Sequence, residues 1–255
     1  LKERIWTGLI GGSFFVAVLV LGGVWYVLLL TALAVVAFDE WARLRRIPRW
    51  SGLYLLGVFF LVLLLAWADG HFLRPAFFAL FVLLLLALPV ITNNRTNVSD
   101  LAHVFLGLAY LGFGFFALMS IRWLENGLLL SLWLLFSTWA NDTMAYFFGK
   151  YWGKKKLWPS ISPNKTVLGS MAGIVAAVFV SALFSLLLPL PLWQLVALGL
   201  LIGVAGQMGD LMESAVKRSF QVKDAGWIFP GHGGVLDRFD SLLVVFIAIY
   251  YLFVY

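Results

Sequence analysis

Cysteine is absent from the 255 residues, so neither a disulfide framework nor thiolate chemistry is available, and the redox compartment is left open. Charge is scarce as well. Only 12% of the residues are Asp, Glu, Lys or Arg, about half the usual share in a soluble domain. No low-complexity tract, soluble domain or internal repeat interrupts the chain. What is abundant is apolar: 63% of residues are hydrophobic and the mean hydropathy is +0.98. The apolar runs come in helix-length blocks and not in alternating ten-residue segments, which points to membrane-crossing α-helices and away from barrel strands.

The net charge is +6 with a pI near 9.7. In so apolar a chain this excess reads as topology and contact with anionic headgroups, not as nucleic-acid binding. The first basic residues, Lys2 and Arg4, precede an apolar run that superficially suggests a signal peptide, but no small-residue cleavage pattern follows, so it is read as a retained first span. Splitting Ile5 to Phe38 at Gly22-Gly23 gives nine expected spans. With a cytoplasmic N-terminus they leave only Arg74 and Arg122 of the 18 Lys and Arg on the far side. The expected fold is therefore all-α and polytopic, with about nine transmembrane helices and a cytoplasmic-side site. It forms a single transmembrane domain over 1–255, in which helices of 1–127 precede motif-bearing helices and loops of 128–255.

One stretch stands out. Ser214 to Asp240, SAVKRSFQVKDAGWIFPGHGGVLDRFD, is the most polar part of the chain. On its N-terminal side Asp210, Glu213 and Ser214 fall at i, i+3 and i+4 on one helical face, and Asp237 and Asp240 repeat the three-residue spacing at its end. Charges at membrane depth are costly, so these acids and Asp142 need partners or a wet cavity. A single acid is as well explained by a helix-end salt bridge; the cluster is not. Carboxylates beside lysines and arginines suit a Mg²⁺-polyphosphate ligand better than ion conduction. Gly231-His232-Gly233-Gly234 allows backbone N–H groups to face an anion; a bland turn with a solvated histidine is the better explanation of the pattern alone, and only the flanking Lys-Asp and Asp-Arg pairs point to a site.

A second basic loop, GKYWGKKKLWPSISPNKT, carries Lys154, Lys155 and Lys156, read first as a topology signal. Ser162, Lys165 and Thr166, at an expected helix start, form a candidate phosphate cradle. Gly203, Gly206 and Gly209 read as a packing stripe, with a cavity beside Asp210 as the minority reading. His71 and His103 have no ligand partner legible in the sequence.

Ser214-x-Val216-Lys217-Arg218, then Lys223-Asp224-x-Gly226, then Phe229-Pro230-x-His232-Gly233-Gly234-Val235-x-Asp237-Arg238-Phe239-Asp240 resembles the signature of phosphatidate cytidylyltransferases, the CDP-diacylglycerol synthases. The resemblance extends to Asn141-Asp142-Thr143-x-Ala145-Tyr146, Ser162-Pro163-x-Lys165-Thr166 and Gly209-Asp210-Leu211-x-Glu213-Ser214, and covers the first half of the chain mainly by hydropathy. Leu168 departs from it, standing where the family more often has Glu or Gln.

The resemblance implies transfer of CMP from CTP to phosphatidic acid, giving CDP-diacylglycerol and pyrophosphate. It implies Mg²⁺, as one or two divalent ions with a second, different cation allowed. Asp210 and Asp237 are the implied metal ligands, joined by Asp142 and Asp240. Lys217, Arg218, Lys223 and Arg238 would bind phosphates, His232 with Gly233 and Gly234 would meet the leaving pyrophosphate, and Ser162, Lys165, Thr166, Ser214 and Asp224 would contact substrate.

Expected partners are CTP, phosphatidic acid and membrane lipids, with a homodimer open and no nucleic acid. The expected location is a multi-pass protein of the bacterial inner membrane with its site facing the cytoplasm. Two other readings stand beside this one: a cytidylyltransferase for another lipid phosphate, and a cation-coupled transporter. A phosphatidyl-alcohol transferase is disfavoured, because its Asp-Gly-x-x-Ala-Arg pattern is absent.

Overall fold

Apolar blocks punctuated by glycine, proline and polar clusters become ten α-helices and one short ribbon in the computed structural model, which describes residues 2–66, 75–226 and 233–254. They divide into two units. The first comprises Leu1–Ser120 with Asp224–Leu236, and the second Ile121–Lys223 with Asp237–Tyr255.

In the first unit, α1 (Lys2–Leu21), α2 (Gly23–Leu44), α3 (Gly52–Ala66) and α4 (Pro75–Ile91) are followed by α5 (Val98–Gly107) and α6 (Phe113–Trp123), whose last three residues belong to the second unit. The chain breaks between α1 and α2 where Gly22 and Gly23 take φ of 64° and 54°, a region that glycine enters at little cost. A single π-turn, Leu108–Gly112, joins α5 to α6. On α2 the buried face runs Tyr26, Leu30, Ala34, Phe38 and Trp41, the stripe expected of a helix packed on one side. Trp41 Nε1 donates to the His103 carbonyl at 2.9 Å, and His103 Nε2 lies 2.8 Å from the Trp41 carbonyl with the two rings stacked. His103 is thus a packing residue.

Three arginines at the end of α2 and just beyond it are ion-paired: Arg43 and Arg49 both reach Asp39, at 2.6 and 2.5 Å, and Arg45 reaches Asp100 at 2.5 Å. The bidentate bond to Asp39 raises the pKa of Arg49.

The second unit holds α7 (Gly127–Tyr151), strands β1 (Lys156–Trp158) and β2 (Ser162–Thr166), α8 (Val167–Leu183), α9 (Leu192–Ser219) and α10 (Leu236–Val254), which begins one residue before the unit's second segment. The strands pair antiparallel, Lys156 opposite Thr166 and Trp158 opposite Ser162, so the basic loop contains a short hairpin within an otherwise all-α fold. Two faces of α8 explain its place. Gly169, Gly173, Ala177 and Ser181 are buried, while Met171, Val175, Phe179 and Leu183 are exposed. Small residues let α7 and α9 approach closely, and the bulky apolar stripe is left for lipid.

The expected count of nine spans is corrected. Among the described residues four helical stretches are long and apolar enough to cross a membrane: Gly23–Leu44, Val98–Trp123, Val167–Leu186 and Leu192–Ser219. Ile10–Leu21, Gly52–Ala66 and Ala76–Ile91 are apolar but shorter. Within α7 lie Asn141, Asp142 and Lys150, and within α10 lie Asp237, Arg238 and Asp240. Counting apolar blocks had treated short helices and helices with polar interiors as equivalent to full spans. The charge asymmetry built on nine alternating spans loses its basis with that count.

Candidate active site

The polar interruption of α7 starts the site. Asn141 is fully buried, and its amide donates to Asp142 Oδ1 at 3.2 Å and accepts from Gln207 Nε2 at 3.0 Å. Gln207, on α9, also donates to the Ser170 carbonyl at 2.9 Å and accepts from the Ser170 hydroxyl on α8. One amide thereby ties three helices, because its nitrogen donates to Asn141 on α7 and to the Ser170 carbonyl on α8 while its oxygen accepts from the Ser170 hydroxyl.

Beside this seam lies a cavity of about 570 Å³, whose wall includes Asp142, Lys150, Lys156, Ser162, Lys165 and Asp210. Lys165, near the end of β2, has its Nζ 2.8 Å from Asp210 Oδ2 and 3.5 Å from the Gln207 carbonyl. Ser214 donates to Asp210 Oδ1 at 3.2 Å. Thr166 lines the cavity, is buried, and caps α8 by accepting from Gly169 N at 3.1 Å; its hydroxyl is used as a helix cap. Three lysines and two aspartates on one wall leave a net positive cavity, suited to a polyanion.

A second cluster follows on the same face of α9. Asp210, Glu213, Ser214 and Lys217 are spaced at i, i+3, i+4 and i+7. Lys217 pairs with Glu213 and, at 2.6 Å, with Asp237 Oδ1 in the first turn of α10. Gly209 lets α10 approach here: a Cβ on it would stand 2.5 Å from the Asp240 carbonyl and 3.0 Å from Ser241 Cα. The Asp240 carboxylate, which accepts from Ser241 N at 2.7 Å, feels the charges of Asp210, Glu213 and Asp142. Arg238 is exposed, and its charge reaches Asp142.

The model of the family described as "Cytidylyltransferase family" matches residues 2–255. The chain belongs to the phosphatidate cytidylyltransferase family. It is 39% identical over 261 residues to the phosphatidate cytidylyltransferase of Bacillus subtilis (strain 168), an alignment covering 99% of this chain and 97% of that one. It is 35% identical over 253 residues to the enzymes of that name from Staphylococcus haemolyticus (strain JCSC1435) and Staphylococcus aureus (strain COL), covering 96% of each chain. This family member is a nucleotidyltransferase and a multi-pass membrane protein.

Of the residues singled out in this cytidylyltransferase, Asp142, Ser162, Lys165, Thr166 and Asp210 line the cavity. Ser214 bonds to Asp210, and Lys217 with Asp237 forms the second cluster. Arg218 donates instead to the Ile161 and Val222 carbonyls, at 3.3 and 3.0 Å, fastening the hairpin turn to the end of α9. Lys223 and Asp224 are exposed. Gly233 has φ of 82° and Gly234 is buried, while Gly231, His232 and His71 lie outside the described residues. Leu168 is 42% exposed.

Sequence reasoning passed over Gln207, Lys150 and Lys156 as site residues. A lone amide between glycines in the apolar α9 was a readable signal for Gln207. Lys156 looked like part of a topology signal; the hairpin places it on the cavity wall, and the last turn of α7 places Lys150 there.

Among the described residues no group of three or more His, Asp or Glu is placed to hold a metal ion by itself. The donor chemistry still fits Mg²⁺. That ion commonly takes one or two protein carboxylates and fills its other positions with water and substrate phosphate, and Asp142, Asp210 and Asp240 are near enough to act on one another electrostatically.

Proposed function

We propose that the cavity beside Lys165 and Asp210 is where CTP and phosphatidate meet. The protein transfers CMP from CTP to phosphatidic acid, giving CDP-diacylglycerol and pyrophosphate. A phosphatidate phosphate oxygen attacks the α-phosphorus of CTP, and the bond from that phosphorus to the bridging oxygen breaks as pyrophosphate leaves. The nucleophile is already ionised, so no Ser or Cys nucleophile is needed. The chain's task is alignment and neutralisation of charge.

The observation that carries this reading is Lys165 held 2.8 Å from Asp210 on the wall of a lysine-rich cavity. Lys165 with Ser162 and Thr166 contacts substrate phosphate, and Lys217, Arg218, Lys223 and Arg238 supply further positive charge. His232, Gly233 and Gly234 meet the departing pyrophosphate, with Ser214 and Asp224 at the margin of the substrates. Family membership implies divalent-cation dependence. Asp210 and Asp237, with Asp142 and Asp240, would hold Mg²⁺, which would neutralise phosphate charge; one or two such ions, or a second cation of another kind, fit this donor set.

In this reading the chain works as one transmembrane domain, its catalytic share in 128–255. The site faces the cytoplasm of a bacterial inner membrane, where CTP arrives from water and phosphatidate from lipid. A homodimer is compatible with this reading, and nucleic acid has no part in the chemistry.

The test is pyrophosphate release by the purified protein with CTP, phosphatidate and Mg²⁺. Release should stop on chelation and return with added Mg²⁺, and protein that binds neither CTP nor Mg²⁺ would overturn the reading. Running the assay with isoprenoid ether lipid phosphates separates acceptor classes, and substrate flux without CTP consumption would favour a transporter.

A further inference from the structure

Glu40 lies on α2, far in sequence from the signature, and is 1% exposed. Its carboxylate accepts two backbone hydrogen bonds, from Val235 N to Oε1 at 3.1 Å and from Leu236 N to Oε2 at 2.8 Å. Those donors are among the N–H groups that a helix start leaves without an intrahelical partner, and the first residue of α10 is Leu236. A carboxylate supplied from a remote helix therefore does what an N-cap side chain ordinarily does.

Two glycines of the signature admit it. A Cβ built on Gly226 or on Gly234 would overlap the Glu40 carboxylate, and on Gly226 it would also stand 3.0 Å from Glu40 Cγ. All of these contacts fall within the first unit. The next residue along the chain is Asp237.

We propose that Glu40 is a positioning residue for the reaction: its buried carboxylate locks the backbone at 226 and 234–236 and so fixes the point from which Asp237 projects. The inference rests on the reading that 233–240 serves catalysis. It gives Gly226 and Gly234 a purpose besides any ligand contact, namely room for a carboxylate from α2. A carboxylate is required because both bonds run from N–H donors, and an amide would offer one of them a second donor.

The experiment uses the full chain in lipid nanodiscs with Glu40→Gln, Glu40→Ala, Gly226→Ala and the double variant Glu40→Ala/Gly226→Ala. Amide hydrogen exchange of peptides covering 233–236 is measured beside kcat and KM for CTP and phosphatidate. In Glu40→Ala, exchange at 233–236 should rise about tenfold or more, as expected when a buried hydrogen bond is lost, with peptides from α8 unchanged. Its kcat should fall on the order of 100-fold through misplacement of Asp237, with each KM within about threefold. Glu40→Gln, which keeps the shape and one acceptor, should lie between parent and Glu40→Ala in both readouts.

Gly226→Ala should cost about tenfold or more alone, because the added methyl overlaps the carboxylate. In the Glu40→Ala background it should cost less than about threefold, because the overlapping group is gone. Unchanged exchange at 233–236 in both Glu40 variants would overturn the lock. Faster exchange with full kcat would keep the lock and overturn the catalytic reading of 233–240, and with it the positioning role. Multiplying effects of Glu40→Ala and Gly226→Ala would overturn the account of the glycine.

Discussion

Lys217 Nζ on α9 lies 2.6 Å from Asp237 Oδ1 on the first turn of α10, with the two side chains only 11% and 7% exposed. The same ammonium pairs with Glu213 one helical turn earlier. A lysine between two buried acids balances them in part, and a buried charge without such compensation would be costly. It also holds the C-terminal half of α9 to the start of α10, the two elements that carry the signature acids.

Asp237→Asn should therefore separate catalysis from folding. Lys217 keeps Glu213 as its ion partner, so thermal unfolding in detergent should move little. Turnover with CTP and phosphatidate should fall on the order of 100-fold or more, the scale for loss of a charge that acts on the transition state. A normal rate together with a lowered melting temperature would make the pair purely structural.

Lys165→Met keeps the apolar stem and removes the charge beside Asp210. On the cavity reading, kcat/KM for CTP should drop on the order of 100-fold. Asp210→Asn should do likewise, and the double variant should be far less impaired than the product of the two, because residues acting as a unit are not additive. Steady-state kinetics on the three variants decides this. Fully multiplicative losses would place Lys165 and Asp210 in separate roles.

Gln207→Leu tests the seam behind the cavity. It leaves the Asn141 Oδ1 acceptor without the 3.0 Å bond from Gln207, and stability should fall by roughly 1–2 kcal/mol, in line with hydrogen bonds between membrane helices. Because Asn141 in turn bonds Asp142 at 3.2 Å, turnover should also fall, by about tenfold. Thermal melts and activity measured on the same preparation check both parts. Unchanged stability would mean that α7, α8 and α9 hold together without this amide.

How much was legible differs between residues for physical reasons. Asp210, Glu213, Ser214 and Lys217 could be placed on one face because helical spacing alone sets direction. Lys165 and Asp142 could be expected to converge with Asp210 on one site, but which of them would pair could not be read. Arg218 was read as a phosphate ligand, and its bonds to the Ile161 and Val222 carbonyls were not legible beside that reading, because a guanidinium near a loop has carbonyls as well as phosphates to choose from. The arginines at and beyond the end of α2 were read as topology signals, and the pairing of Arg43, Arg45 and Arg49 with Asp39 and Asp100 depends on how α2, its following turn and α5 come together. The span count failed because hydropathy reports how apolar a block is, not whether its helix is long enough to cross.

By itself the amino-acid sequence determined the membrane class, the helical stripes of α8 and α9, and the family, since these depend on composition, period and short-range motif. Only the tertiary structure decided which acids meet which lysines, that a hairpin places Lys165 against Asp210, and that Glu40 reaches Val235 and Leu236 across 195 and 196 positions of chain. Local pattern fixes which way a side chain faces on its own helix. Which partner it finds depends on how closely helices approach, and that approach is set by packing at residues such as Gly209, Gly226 and Gly234.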